Sequence, residues 1–296
     1  MARISLGDRS GLDDLRRSAA LAEASNSPET IHHAYNNLAN MHWRLGELEA
    51  ASASLKKARA ANERFGYAGG LKWLVGEGML DHHLRGEWEE ALAIAGKVIA
   101  AATNSPHYHE GPARMLRSEI LLGRGEVDAA LTDSARGLEL AREAGDGQVV
   151  GPALVDRARA LVAAGRAQEG DRLLAEDLTE HDLANPWQHQ LPLLLAELGR
   201  GHEFLAALGD DAPATPWIEA GRAVASRDFA KAAAVYAAIG ARAPEAQARL
   251  LHAEALVRDG RRTEADAELD AALTYFRSVR ATAFTRRGEA LLAATA

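Results

Sequence analysis

The feature that most constrains this chain is a turn that keeps coming back. Glycines at Gly46, Gly86, Gly125 and Gly165 recur about every 40 residues, and Gly201 and Gly260 continue the series. Arg227 stands at the equivalent place in a copy without its glycine. Five residues after each anchor come Ala51, Ala91, Ala130, Gly170, Ala206, Ala232 and Ala265, every one small. Seven residues before come Ala39, Met79, Ser118, Ala158, Leu194, Ala220 and Ala253, most of them small. A residue that tolerates the left-handed conformation ends one helix. The small residues mark where that helix crosses the next at close range. The chain therefore reads as stacked helical hairpins, a repeat architecture in which each unit packs on its neighbours.

Apolar spacing maps the helices. A lone helix is expected over 12–24. Hairpins are expected over 29–64, 71–102, 110–144, 149–178, 187–208, 215–240 and 244–278, with a last helix over 281–294. Breakers separate them: Asn-Ser-Pro at 26–28 and at 104–106, Tyr-Ala-Gly-Gly at 67–70, Asn-Pro at 185–186 and Ala-Pro-Ala-Thr-Pro at 212–216. The fold class is thus all-α, an α-solenoid of about seven hairpins plus terminal helices, with no single central core expected. Four parts are distinguished. Residues 1–28 hold the second helix of a truncated repeat, and 29–180 the N-terminal repeats. Residues 181–216 form a degenerate, Pro-rich repeat or joint, and 217–296 the C-terminal repeats and a capping helix. The lone first helix suggests a chain cut from, or having lost, an N-terminal partner domain.

Composition narrows the function. The 296 residues are 47% hydrophobic and only 5% aromatic, and the formal net charge is −8. An acidic chain without a basic stripe is not expected to bind nucleic acid. There are no cysteines, which removes disulfides, thiolate chemistry and cysteine-based metal sites. No signal peptide and no membrane-length apolar run is present, so the expected place is the cytoplasm.

Catalytic patterns are missing as well. Gly96-Lys97-Val98 is no phosphate loop, and neither a Gly-x-Ser-x-Gly elbow nor His-Glu-x-x-His occurs. Eleven histidines include the pairs His32-His33 and His82-His83. Neighbours on a helix point about 100° apart, so a pair does not chelate alone. His42 and His82 fall at equivalent positions in successive hairpins and would be the place for a shared ion, but the sequence brings no third ligand to them. The expectation is a non-enzyme with no metal and no cofactor.

The run from Tyr35 through Leu38, Ala39, Gly46 and Ala51 to Ala58 resembles a tetratricopeptide repeat (TPR), whose aromatic, leucine, small, glycine and alanine positions those residues match. His42 departs from the usual aromatic, and later copies are looser. The resemblance implies a right-handed superhelix whose first helices line a concave groove. Carrying over the family's ligand-facing positions gives His33, Asn36, Asn40, Trp43, Arg44, Trp73, Leu80, His83, Met115, Glu119, Leu122 and Arg159 as the candidate peptide-binding surface. Asn40 matches one position of the TPR carboxylate clamp, but Asn36 stands where that clamp needs lysine, so its chaperone-tail ligand is not expected. The stretch from Pro213-Ala-Thr-Pro-Trp217 to Val279 also resembles the C-terminal TPR tail of large actinobacterial signalling ATPases, which are linked to cyclase or transcriptional-regulator domains. That implies a bacterial scaffold or sensor arm in signal transduction or transcriptional regulation. The expected partner is a protein or peptide, including domains of its own parent chain, with a homodimer left open and no nucleic acid or membrane partner. The alternative is a small-molecule or peptide-signal sensor that changes solenoid curvature on binding.

Overall fold

The computed structural model describes residues 9–103, 107–180, 183, 185–210 and 212–293. The Asn-Ser-Pro breaker at 104–106 and parts of the termini and the 181–216 joint lie outside them. Among the described residues the protein is 83% helical, with sixteen helices and no strands. A first helix, α1 (Gly11–Ala24), precedes the hairpins α2 (Pro28–Arg44)/α3 (Leu48–Phe65), α4 (Ala68–Leu84)/α5 (Trp88–Ala102), α6 (Glu110–Arg124)/α7 (Val127–Ala144) and α8 (Gly147–Ala163)/α9 (Ala167–Glu180). A 3₁₀ turn, Pro186–Gln188, leads into α10 (Gln190–Glu197)/α11 (Gly201–Leu208). The hairpins α12 (Pro216–Ala225)/α13 (Phe229–Ile239) and α14 (Arg242–Arg258)/α15 (Arg262–Ser278) follow, and α16 (Thr282–Ala293) ends the described chain. Consecutive helices pack on one another, as in a solenoid, on either side of the joint between α9 and α10.

One backbone hydrogen bond defines every hairpin turn. The N–H after the left-handed residue reaches the carbonyl five residues back, the Schellman closure of a helix end. It joins Glu47 to His42, Glu87 to His82, Glu126 to Leu121, Arg166 to Leu161, Arg200 to Leu195, Asp228 to Ala223 and Arg261 to Leu256. Arg227 takes the left-handed conformation at φ 62°, as its place in the series requires. The fifth hairpin corrects the register read from sequence. Its left-handed residue is Gly199 (φ 72°), and Gly201 instead begins α11. A Cβ on Gly201 would lie 2.3 Å from the Ala225 carbonyl oxygen, so Gly201 is small because α11 meets α12 there.

The small residues flanking the other turns sit at helix crossings. Ala39, Ala51, Ala91, Ala130, Ala158, Ala220, Ala232, Ala253 and Ala265 are completely buried.

The expectation that each hairpin packs only on its neighbours is overturned. One core cluster joins Met79, Trp88 and Ile120 to Leu250, Leu273 and Phe276, and another joins Trp43, Leu80 and Leu84 to Trp217, Tyr236 and Leu251. The C-terminal hairpins are seated on the turn edge of the N-terminal ones. Gly46 lies against Pro216 and Ile239, Gly86 against Tyr275, and Gly125 against Thr282 and Ala283. Thr282 Oγ1 donates to the Arg124 carbonyl at 2.5 Å. Helix α4 has buried residues on several faces because it packs on α3, α5 and α6 within the row and on α14 across it.

Candidate functional site

The joint between α9 and α10 crosses the face formed by the first helices α4, α6 and α8. Asn185 holds it there. Its side-chain oxygen accepts from Trp187 N–H at 3.1 Å, and its Nδ2 donates to the Gln148 carbonyl at 2.8 Å. Pro186 starts the 3₁₀ turn, where its fixed φ is favourable. The next residues, His189 and Gln190, are thereby delivered to Glu119 on α6.

Glu119 Oε1 is the focus of a buried polar cluster. His83 Nε2, from the last turn of α4, lies 3.0 Å away, His189 Nε2 3.3 Å away, and Gln190 Nε2 donates at 2.5 Å. Arg159 Nη1 on α8 is 4.0 Å from the same oxygen. His83 is 1% exposed. His189 Nδ1 sits 3.0 Å from the Pro186 carbonyl oxygen. A cavity of about 20 Å³ opens at the centre, lined also by Leu80, Met115, Pro152, Val155, Asp156 and Trp187. That is room for one water or one ion and excludes a peptide side chain.

Electrostatics divide the two carboxylates of this cluster. Burial by itself would raise Glu119, but the charges and hydrogen bonds of His83 and His189 hold it well below the ordinary carboxylate range. Burial pushes Asp156 well above that range, against the Ser118 hydroxyl that donates to it at 3.0 Å and the nearby Arg159 charge. His83 Nδ1, Gln190 Oε1, Asp156 Oδ2 and Arg159 Nη1 are all buried without a hydrogen-bond partner. Such atoms are rare in folded interiors. Among the described residues, His83, Glu119 and His189 are the one group whose ligand atoms, all within 4.8 Å of one another, could hold a metal ion.

A second concavity lies on the other side of Trp187. It is an open groove of about 250 Å³ lined by Asn36 and Asn40 on α2, Trp73 and Glu77 on α4, Tyr108 and Pro112 at the start of α6, and Asp146 and Gln148 at the start of α8. It crosses the first helices of four consecutive hairpins. Trp73 and Tyr108 stack with centroids 5.4 Å apart. Glu77 accepts from the Trp73 indole at 2.8 Å, and Asp146 from the Tyr108 hydroxyl at 2.8 Å. Asn36 Oδ1 is buried without a partner at the groove's edge, while Asn40 Nδ2 donates to the Asn36 carbonyl.

The twelve residues carried over from the TPR pattern are distributed unevenly. Leu80, His83, Met115, Glu119 and Arg159 surround the small polar cavity, and Asn36, Asn40 and Trp73 line the groove. His33 is exposed beside Glu29, 3.8 Å away. Arg44 and Leu122 are half-buried and line neither concavity. Trp43 corrects the expectation. It is 1% exposed and packed in the core under Trp217, because the C-terminal hairpins cover the turn edge. The pairing considered for His42 and His82 is also replaced. His42 bonds Glu47 at 2.6 Å and His82 bonds Glu87 at 2.5 Å, each within its own hairpin turn.

Trp187, His189, Gln190, Asp156 and Tyr108 were not reached from sequence. The first three fall at the start of the hairpin expected over 187–208, in the stretch read as a degenerate, Pro-rich repeat or joint. The signal to find them was a histidine and two glutamines between Pro186 and Pro192, a polar group with no helix face of its own to occupy. No protein-family description matches this chain, and no curated protein matches it.

Proposed function

We propose that this chain is a non-catalytic binding module of the TPR type that takes a protein segment in its open groove, as part of a signalling or regulatory assembly. The observation that carries this reading is the groove itself. It runs across four first helices and combines a stacked Trp73–Tyr108 platform with side-chain amides and two carboxylates, Glu77 and Asp146. Aromatic anchors with amides spaced along a channel suit an extended segment, whose backbone the amides can bond. The carboxylates and the unpartnered Asn36 oxygen favour a segment rich in donors, with a lysine or arginine near Glu77 and Asp146. The resemblance of Tyr35–Ala58 to a TPR supports the same use of this face. A parent-chain domain fits the chemistry as well as a separate partner.

The sensor alternative draws less support. A curvature change would have to break the contacts that seat the C-terminal hairpins on the turns at Gly46, Gly86 and Gly125. The enclosed cavity, at about 20 Å³, is too small for an organic signal.

The test is selection of displayed peptides on the immobilised full chain, followed by titration of the selected peptides. Peptides carrying a basic residue should bind the wild type and lose at least about ten-fold in affinity to Trp73→Ala and Tyr108→Ala. Peptides that bind both variants as well as the wild type would remove the groove from consideration.

A further inference from the structure

We infer that His83, Glu119 and His189 bind one transition-metal ion of the zinc class, which ties the joint at 185–190 to the first helices of the second and third hairpins.

The argument starts from the hydrogen on His189. Its Nδ1 lies 3.0 Å from the Pro186 carbonyl oxygen, which can only accept. The ring must therefore carry its proton on Nδ1. In the neutral tautomer the Nε2 lone pair then faces Glu119 Oε1 at 3.3 Å. Two lone pairs do not face each other at that distance in a buried site without a cation between them, a proton on Nε2 or a metal ion, and the gathering of three ligand atoms within 4.8 Å of one another favours the metal. A backbone carbonyl taking the Nδ1 proton is also the arrangement that orients metal-bound histidines.

Spacing and surroundings agree. Ligand atoms around tetrahedral zinc are separated by about 3.3–3.5 Å, given bonds of about 2.0–2.2 Å. Here His189 Nε2 lies 3.3 Å from the carboxylate oxygen, at that spacing, His83 Nε2 lies inside it at 3.0 Å, and all three ligand atoms lie within 4.8 Å of one another. Two imidazoles and one carboxylate are a donor set for zinc and its borderline neighbours, not for calcium or magnesium. The cavity of about 20 Å³ beside them has room for the one water that would complete four-coordination, and the unpartnered Gln190 Oε1 and Asp156 Oδ2 are polar partners for it. Arg159 Nη1, 4.0 Å from Glu119 Oε1, is a further cation at the edge of the set, with which a bound ion has to share the carboxylate. The consequence reaches the groove, because Trp187, two residues before His189, is the wall shared by both concavities.

The test uses the full chain stripped with EDTA and titrated with zinc chloride by calorimetry. One equivalent should bind and raise the melting temperature. Glu119→Gln and His189→Ala should weaken binding by about a hundred-fold or more, while His82→Ala, a histidine paired with Glu87 outside the cluster, should leave it unchanged. No saturable binding, or equal binding by all variants, overturns the inference and leaves two imidazolium–carboxylate pairs in its place. If the cluster variants lose helicity by circular dichroism, the cobalt-loaded wild type decides. Two exchangeable, paramagnetically shifted ring N–H proton resonances support the site, and their absence overturns it.

Discussion

The indole N–H of Trp217 donates to the backbone carbonyl of Trp43 at 2.6 Å, joining residues 174 apart in sequence. That carbonyl also accepts from Gly46 N–H, so the bond is made to the turn that ends α2. The first helix of the C-terminal hairpins thus grips the first turn of the N-terminal ones. Trp217→Phe keeps most of the apolar area and deletes the donor. It should lower stability by about 1–2 kcal/mol in urea unfolding, one buried hydrogen bond plus a small void. No loss would mean that the two halves are held by area alone.

Two glycines have different physical reasons for lacking a side chain, and a third has none. Gly96 lies inside α5, and a Cβ there would meet nothing within 4 Å, so Gly96→Ala should stabilise by about 0.5–1 kcal/mol through helix propensity. Gly199 holds φ 72°, so Gly199→Ala should cost about 1 kcal/mol in backbone strain. Gly201→Ala places a methyl 2.3 Å from the Ala225 carbonyl oxygen and should cost more than Gly199→Ala, because backbone must move. Thermal melts of the three variants check the order. A milder effect at 201 than at 199 would return the turn to the register read from sequence.

That difference in register shows what kind of information the sequence held. Hairpin turns and crossings are local, and Ala39 with Ala51 or Ala158 with Gly170 announce themselves by spacing. Within Gly199-Arg-Gly201 either glycine satisfies the period, and only the partner of each decides which one turns. The docking of the C-terminal hairpins was illegible for the same reason. Trp43, Leu84 and Trp88 are apolar in a pattern that fits a groove as well as a contact with Trp217 or Tyr275. Of the candidate site, His83, Glu119 and Arg159 came together because each lies on a first helix at a repeating position. His189 did not, because it reaches them from a segment with no period.

Acid and base act on the joint through Asp177. This completely buried carboxyl on α9 accepts from Gln188 Nε2 at 2.6 Å, and burial, with help from the neighbouring Glu176 charge, pushes its pKa up to about 7. A carboxyl raised in the folded state binds its proton more tightly folded than unfolded. Its contribution is therefore full below about pH 4 and is lost as pH rises to about 7. Asp177→Asn removes that dependence and should gain on the wild type by about 1–3 kcal/mol between pH 5 and pH 8. Urea unfolding of both proteins at the two pH values measures it. A constant difference would show that Asp177 does not titrate in the folded protein between those two pH values.

Arg227 offers a stabilising change. It holds φ 62° in the one hairpin turn whose left-handed residue is not glycine, with its guanidinium 5.5 Å from the Phe229 ring centroid. Left-handed strain for a residue with a Cβ is about 1 kcal/mol. The exposed cation–π contact returns about half of that or more, and glycine adds entropy to the unfolded chain. Arg227→Gly should therefore gain no more than about 0.5 kcal/mol, and Arg227→Asn, which tolerates this conformation and keeps a side chain, should gain at least as much. A loss exceeding about 1 kcal/mol for both would assign Arg227 a contact beyond the turn.

The fold-back of the second half predicts how the chain comes apart. An open solenoid behaves as a row of units joined only to their neighbours, so its ends unfold first and different probes report different midpoints. Here the first, second and third hairpin turns are covered by α12, α15 and α16, and two core clusters draw on both halves. Removing the C-terminal hairpins would expose Trp43, Leu84 and Trp88 together, so the halves stabilise each other and should melt in one transition. Tryptophan fluorescence of a Trp73→Phe, Trp187→Phe variant, which leaves Trp43, Trp88 and Trp217 at the contact between them, should coincide with far-ultraviolet circular dichroism in urea. Native-state hydrogen exchange should find the amides of Gly46, Gly86 and Gly125 protected near the global free energy, not at the level of frayed turns. Separated transitions, with fluorescence changing first, would mean that the two halves meet without depending on each other.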